Sequence, residues 1–264
     1  MGLKTVVLNS ERMNYDGKLD LSVLSSEVKE YASTEQDQIL ERVQGMDVVV
    51  TKEMPVDGDT IARFPDSVQL ICEAGTGYNN IDIEAARARG ITVCNIPAYS
   101  TERVAHTAIM MILNLSSSMQ IQQAMLARGD RSNFTKCMQV SHVEVNGKVL
   151  GVVGAGTIGR EVIKVAQALG MKVLAYTRTP RADEDNLKYV SLEELLKQSD
   201  YISLHCPLTP QTRHMINKET IAMMKPTAYI INTGRGALID EPALIEALKE
   251  GRIAGAGLDV QETE

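Results

Sequence analysis

Between Lys148 and Gly159 the chain reads KVLGVVGAGTIG. A short apolar run (Val149, Leu150, Val152, Val153) leads into Gly154, Ala155, Gly156, Thr157, Ile158 and Gly159, and a periodic segment from Arg160 to Gly170 follows. Strand, glycine turn and helix in that order are what a dinucleotide-binding unit requires. Gly154 would allow the tight turn, Gly156 would let the backbone approach a pyrophosphate, and Gly159 would let the helix pack close to the strand. The anion would sit on unpaired N–H groups at the helix N-terminus, where the helix dipole favours negative charge. Alone, GxGxxG also closes ordinary βα units. A second strand, Lys172 to Tyr176, lies at the right distance and points the reading to a dinucleotide site.

The rest of the chain fits around this unit. Strands are predicted at Thr5 to Leu8, Met46 to Thr51, Val68 to Cys72 and Ile91 to Cys94, with helices at Thr34 to Val43, Asp57 to Phe64 and Ile83 to Arg89. Continuous apolar strands alternating with helices imply a parallel sheet covered on both faces. Beyond Pro97, Thr101 to about Met125 is predicted as one long helix, apolar nearly all round and therefore buried, between domains or at a subunit interface. Leu126 to Gly147 reads as an irregular connector. Further strands are predicted at Val149 to Val153, Tyr201 to Leu204, Ala228 to Asn232 and Ala254 to Leu258, and helices at Arg160 to Leu169, Leu192 to Gln198, Lys218 to Met224 and Glu241 to Glu250. A chain of 264 residues suits two domains.

A net charge of −7 with no Lys/Arg run argues against a nucleic-acid partner. No apolar stretch approaches membrane-spanning length, and the short N-terminal apolar run is not a signal peptide. Cys72, Cys94, Cys137 and Cys206 are far apart without CxxC pairing, so free thiols in the cytoplasm are expected, with no metal site.

The candidate chemistry lies at predicted strand ends, the ligand-binding edge of an open α/β sheet. Gly75-Thr76-Gly77-Tyr78-Asn79-Asn80-Ile81-Asp82 is either an anion nest or a turn with a helix cap. Thr177 stands 18 residues past Gly159, where an acid would bind the ribose of NAD; it is neutral, and Arg178 follows. That pair suits the 2′-phosphate of NADP, Arg holding it bidentately, or else Arg178 is a solvated loop residue. In His205-Cys206-Pro207, the loop would line the nicotinamide pocket by its backbone, with His205 as a structural hydrogen-bonding residue. In Asn232-Thr233-Gly234-Arg235-Gly236, Arg235 would bind the carboxylate and carbonyl oxygen of a small keto acid, or it is an ion-paired surface residue. The acidic end, Asp259 to Glu264, would orient a histidine or is simply solvated.

Together, GTGYNNID (75–82), GKVLGVVGAGTIGREV (147–162), LHCPLTPQTRHMIN (204–217), INTGRGALIDEPALIEAL (231–248) and AGLDVQETE (256–264) resemble the D-isomer-specific 2-hydroxyacid dehydrogenases. The resemblance implies an α/β fold of two Rossmann-like domains with parallel sheets, a flavodoxin-like substrate domain (1–98) and an NAD(P)-binding domain (99–264), assembled as a homodimer. It implies hydride transfer between nicotinamide and C2 of a small 2-keto or 2-hydroxy acid such as hydroxypyruvate or glyoxylate. By motif position the catalytic residues are Arg235, matching the substrate-binding arginine, and Glu264, matching the glutamate that pairs with the acid–base histidine; Thr76 and Gly77 match the carboxylate cradle. Thr76, Gly154, Gly156, Thr157, Ile158, Gly159, Thr177, Arg178, Cys206, Pro207, Thr233, Gly234 and Asp259 are the expected cofactor contacts, with NADP favoured over NAD. The family's acid–base histidine lies beyond Glu264, near a Pro-His pair. His106, His142, His205 and His214 match other positions, so the expectation is a chain cut short before that histidine. The alternative is a non-catalytic NAD(P)H-sensing interaction protein on the same fold.

Overall fold

A computed structural model describes residues 2–179 and 181–263. The chain divides into two compact units, Met1–Tyr99 and Ser100–Glu264.

The first unit is a five-stranded sheet of β1 (Lys4–Val7), β2 (Glu27–Glu30), β3 (Val48–Thr51), β4 (Leu70–Glu73) and β5 (Thr92–Asn95), with helices α1 (Ile39–Arg42), α2 (Gly58–Ala62) and α3 (Ile83–Ala88). The order is β2-β1-β3-β4-β5, all parallel, the flavodoxin-like arrangement. Val6, Leu8, Val49 and Ile71 form one core with Ile39, Val43, Ile61 and Ala86 from the helices. The sequence reading lacked β2. Its residues, EVKE, carry no apolar run, because β2 is an exposed sheet edge whose Glu27 pairs with Lys4 at 3.3 Å.

The second unit opens with α4 (Thr101–Ser116), α5 (Met119–Ala127) and α6 (Ser132–Thr135). The expected single helix to Met125 is two helices. Ser117 Oγ donates to Leu113 O at 2.8 Å, and Ser118 turns left-handed (φ 50°) with its hydroxyl on Ser141 O at 2.6 Å. Serine hydroxyls compete with the backbone in this way and end helices. Nor is the apolar surface all buried: Ala105, Ala108, Ile109 and Ile112 face inward, whereas Met110 and Leu113 are exposed. The stretch read as irregular connector contains α6.

Six parallel strands follow: β6 (Val149–Val153), β7 (Lys172–Tyr176), β8 (Leu187–Tyr189), β9 (Tyr201–Leu204), β10 (Tyr229–Asn232) and β11 (Gly255–Leu258). Four helices, α7 (Thr157–Ala168), α8 (Leu192–Gln198), α9 (Lys218–Ile221) and α10 (Glu241–Lys249), cover the sheet. The order β11-β10-β9-β6-β7-β8 is the dinucleotide-binding topology, with the switch point between β6 and β9. β8 was also missed; three residues with only Leu187 buried leave no pattern to read. Gly159, Val162, Ile163 and Ala166, at helical spacing, bury α7 against β6, β7 and α4.

Candidate functional site

The glycine turn after β6 places its three glycines for three separate reasons. Gly154 has φ 100°, and a Cβ there would lie 2.7 Å from Cys206 N, so the β9 loop runs directly against the turn. A Cβ on Gly159 would lie 2.0 Å from Gly154 O, which fixes how closely α7 approaches β6. Gly156, the N-cap of α7, faces open space within 4 Å and offers no capping side chain. The first N–H groups of α7, including those of Thr157 and Ile158, are left for an anion.

At the end of β7, Thr177 hydrogen-bonds through its hydroxyl to Thr179 O at 2.7 Å. Arg178 beside it is exposed and makes no ion pair among the described residues. After β9, His205 N–H donates to Val153 O at 2.8 Å, and its Nε2 is hydrogen-bonded to Ser203 Oγ at 2.8 Å. Burial pushes the imidazole down to about 4, so His205 is neutral near pH 7 and serves the structural role expected of it. Burial likewise pushes the Cys206 thiol up to about 11, which makes it unreactive. Pro207 follows, exposed.

The loop after β10 is built by Asn232. This side chain, 1% exposed, donates from Nδ2 to Arg235 O at 2.9 Å and accepts from Gly234 N–H at 3.0 Å. Arg235 is half-buried; it donates to Gly234 O at 2.8 Å and has no acidic partner among the described residues. Thr233 Oγ1 is buried with no hydrogen-bond partner among the described residues. Such a group costs roughly 1–3 kcal/mol when left unpaired, so the hydroxyl calls for a ligand.

A cluster that the sequence reading missed holds the segment after β11. Glu262 Oε1 accepts from Arg213 Nη2 at 2.8 Å and is hydrogen-bonded to His214 Nε2 at 2.6 Å, while Glu262 N–H donates to Glu241 Oε1 at 3.1 Å. A Cβ on Gly236 would lie 1.8 Å from Gln261 O, so this segment runs backbone-to-backbone against the residue after Arg235. Partners about fifty residues apart give no local signal, although His214 and Glu262 are both ionisable residues in the quoted motifs. Asp259, exposed, donates its N–H to Asn232 O at 2.9 Å. Glu264, expected to be catalytic, lies outside the described residues.

In the first unit, the Thr76–Gly77 loop follows β4. Thr76 Oγ1 donates to Ile96 O at 3.2 Å, and Thr76 O accepts from Asn95 Nδ2 at 2.7 Å. Beneath it Glu73 is fully buried, accepting from Thr51 Oγ1 (3.0 Å), Glu53 N–H (2.9 Å) and Asn80 Nδ2 (2.8 Å). The carboxylate ties the end of β3 and the loop after it to the Asn80 loop. Burial works against the charged form of Lys52, but its bond to Glu53 at 2.6 Å and the nearby charges of Glu53, Tyr99 and Glu73 together outweigh this and raise its pKa.

In the second unit the structure therefore brings Gly154, Gly156, Thr157, Ile158, Gly159, Thr177, Arg178, Cys206, Pro207, Thr233, Gly234, Arg235 and Asp259 to the C-terminal edge of one parallel sheet. Residues 109–264 match the family model described as D-isomer specific 2-hydroxyacid dehydrogenase, NAD binding domain.

The chain belongs to the D-isomer specific 2-hydroxyacid dehydrogenase family.

Among its relatives, a hydroxypyruvate reductase of Blautia hydrogenotrophica is 40% identical over 235 residues, covering 88% of this chain and 73% of that protein. A glyoxylate reductase of Thermococcus litoralis is 42% identical over 234 residues, covering 86% and 70%. A crystal structure of a glyoxylate reductase from Paecilomyes thermophila superposes with a TM-score of 0.85 at 33% identity, covering 99% of this chain and 82% of that one. As a member of this family the chain is an oxidoreductase, passing a hydride between a nicotinamide cofactor and C2 of a 2-keto or 2-hydroxy acid.

Proposed function

We propose that the substrate is a small 2-keto acid, hydroxypyruvate or glyoxylate, and that NADPH is the preferred hydride donor. The substrate class is supported by the names of the relatives above. The cofactor preference is supported by the neutral Thr177 and by Arg178, exposed and without an ion pair among the described residues, which suit a 2′-phosphate better than a ribose hydroxyl.

The residues present fit a dinucleotide. Open space at Gly156 and the uncapped α7 N-terminus suit a pyrophosphate, and the Thr233 hydroxyl supplies a buried polar group with no partner among the described residues. When bound, the nicotinamide supplies the hydride. Backbone groups of the Cys206–Pro207 loop and of Thr233–Gly234 would orient it, and Asp259 would serve the cofactor side.

Arg235 carries the substrate reading. Its loop is pinned by Asn232, and its guanidinium has no acidic partner among the described residues, so it is available to a carboxylate. It holds the acid group and draws electron density from the carbonyl oxygen, which prepares C2 for hydride attack. Thr76 and Gly77 are assigned to the substrate carboxylate, and Glu264 to the support of an acid–base histidine. The setting is cytoplasmic, which suits four free thiols. A second copy of the chain covers the exposed apolar residues of the α4–α6 region (Met110, Met119, Ile121, Phe134), giving a homodimer.

The test is R235A in the full-length protein. Turnover should fall about 10²–10³-fold, as when one donor to a developing oxyanion is removed, with cofactor affinity kept. Near-normal turnover would remove Arg235 from the mechanism.

A further inference from the structure

Cys72 on β4 and Cys94 on β5 stand directly opposite each other in the parallel register of these strands. Both point to the same face of the sheet: along β4, Ile71 and Glu73 are buried on the other face, while Leu70 and Cys72 are only partly covered. Adjacent strands lie ~4.8 Å apart, inside the ~4.4–6.8 Å Cα separation that disulfides span. Cys72 is half-buried and Cys94 exposed, both as free thiols, and Cys94 acts on Cys72 as a hydrogen-bonding neighbour. Burial first, then that neighbour, pushes the Cys72 thiol up to about 12; Cys94 is the exposed thiol of the two, so it is the one an outside disulfide reaches first.

The same strands hold the Thr76 loop. Asn95, the residue after Cys94, donates to Thr76 O, and Ile96 N–H donates to Gly75 O at 3.0 Å. A covalent link between Cys72 and Cys94 would tie these two strands together just before Asn95 and Ile96, the residues that hold that loop.

We propose that Cys72 and Cys94 are a reversible oxidation site that forms a cross-strand disulfide with a low-molecular-weight disulfide, such as glutathione disulfide, as oxidant. The Cys94 thiolate attacks one sulfur of glutathione disulfide; that S–S bond breaks and one glutathione leaves, taking up the proton that Cys94 released. Cys72 then attacks the Cys94 sulfur of the mixed disulfide, and the second glutathione leaves with the Cys72 proton. Two protein thiols are oxidised and one glutathione disulfide is reduced to two glutathiones. In a reducing compartment a bond of this kind is transient and sensing in character.

The experiment is intact-mass analysis and thiol mapping of the full-length protein titrated with glutathione disulfide. The expected product has lost two hydrogens, links the Cys72 and Cys94 peptides, and reverts with dithiothreitol. C72S should stop at a stable glutathione adduct on Cys94, and C94S should leave Cys72 unmodified. A wild-type protein that holds a stable adduct on Cys94 with Cys72 still a thiol, or that shows neither change, overturns the proposal. A kinetic arm rests on the substrate role proposed for Thr76: oxidation should raise the KM for the keto acid severalfold, leave that for the nicotinamide cofactor unchanged, and have no effect on C72S/C94S. A disulfide that forms without moving that KM would support the modification site and overturn the role of Thr76.

Discussion

Asn232 shows how one side chain can prepare a site without touching substrate. Its buried amide holds Gly234 N–H and Arg235 O, so the Arg235 backbone is fixed before any ligand arrives. Sequence reasoning found Arg235 because two glycines flank it at a strand end. It did not find the clamp, nor the Glu262–His214–Arg213 cluster, because hydrogen-bond partners distant in sequence leave no local pattern. At Thr177 the missing charge was itself the signal. Replacing it restores the acid of an NAD site, so T177D should lower the ratio of NADPH to NADH efficiency at least tenfold, about 1.4 kcal/mol. Steady-state kinetics with both cofactors checks this; an unchanged ratio would show that this position does not read the ribose.

At the scale of elements, the glycine turn separates folding from binding. A Cβ at Gly156 meets nothing within 4 Å, and its φ of −81° is ordinary, so G156A should keep the wild-type melting temperature while cofactor affinity falls tenfold or more. A Cβ at Gly159 meets the Gly154 carbonyl at 2.0 Å, so G159A should cost stability, about 1–3 kcal/mol. Thermal melts beside cofactor titrations distinguish the two; a G156A variant that binds cofactor normally would contradict the assignment of this turn. The buried strands were legible because parallel strands covered on both faces are continuous apolar runs; β6, β7 and β9 lie where the sequence placed them. The charged edge β2 and the three-residue β8 were not, since neither buries a row of side chains. The break between α4 and α5 was hidden for another reason: apolar content continues across it, and three consecutive serines decide the local backbone.

For the whole molecule, both sheets are parallel throughout, so alternating strand and helix patterns carried the fold class. The exposed apolar side chains of the second unit ask for a covering surface. Phe134 and Met138 are each 67% exposed, so F134E/M138E should dissociate the proposed homodimer to monomers without lowering the melting temperature. Sedimentation velocity reads this directly, and a monomeric wild-type protein would contradict the proposed assembly. The C-terminal edge of the second sheet carries the cofactor side of a nicotinamide-dependent oxidoreductase of 2-keto and 2-hydroxy acids. The most direct test is oxidation of NADPH, beside NADH, by the full-length protein with hydroxypyruvate and glyoxylate. The account predicts steady turnover with at least one of these acids and faster turnover with NADPH. Cofactor that binds tightly yet is consumed with neither acid would contradict it.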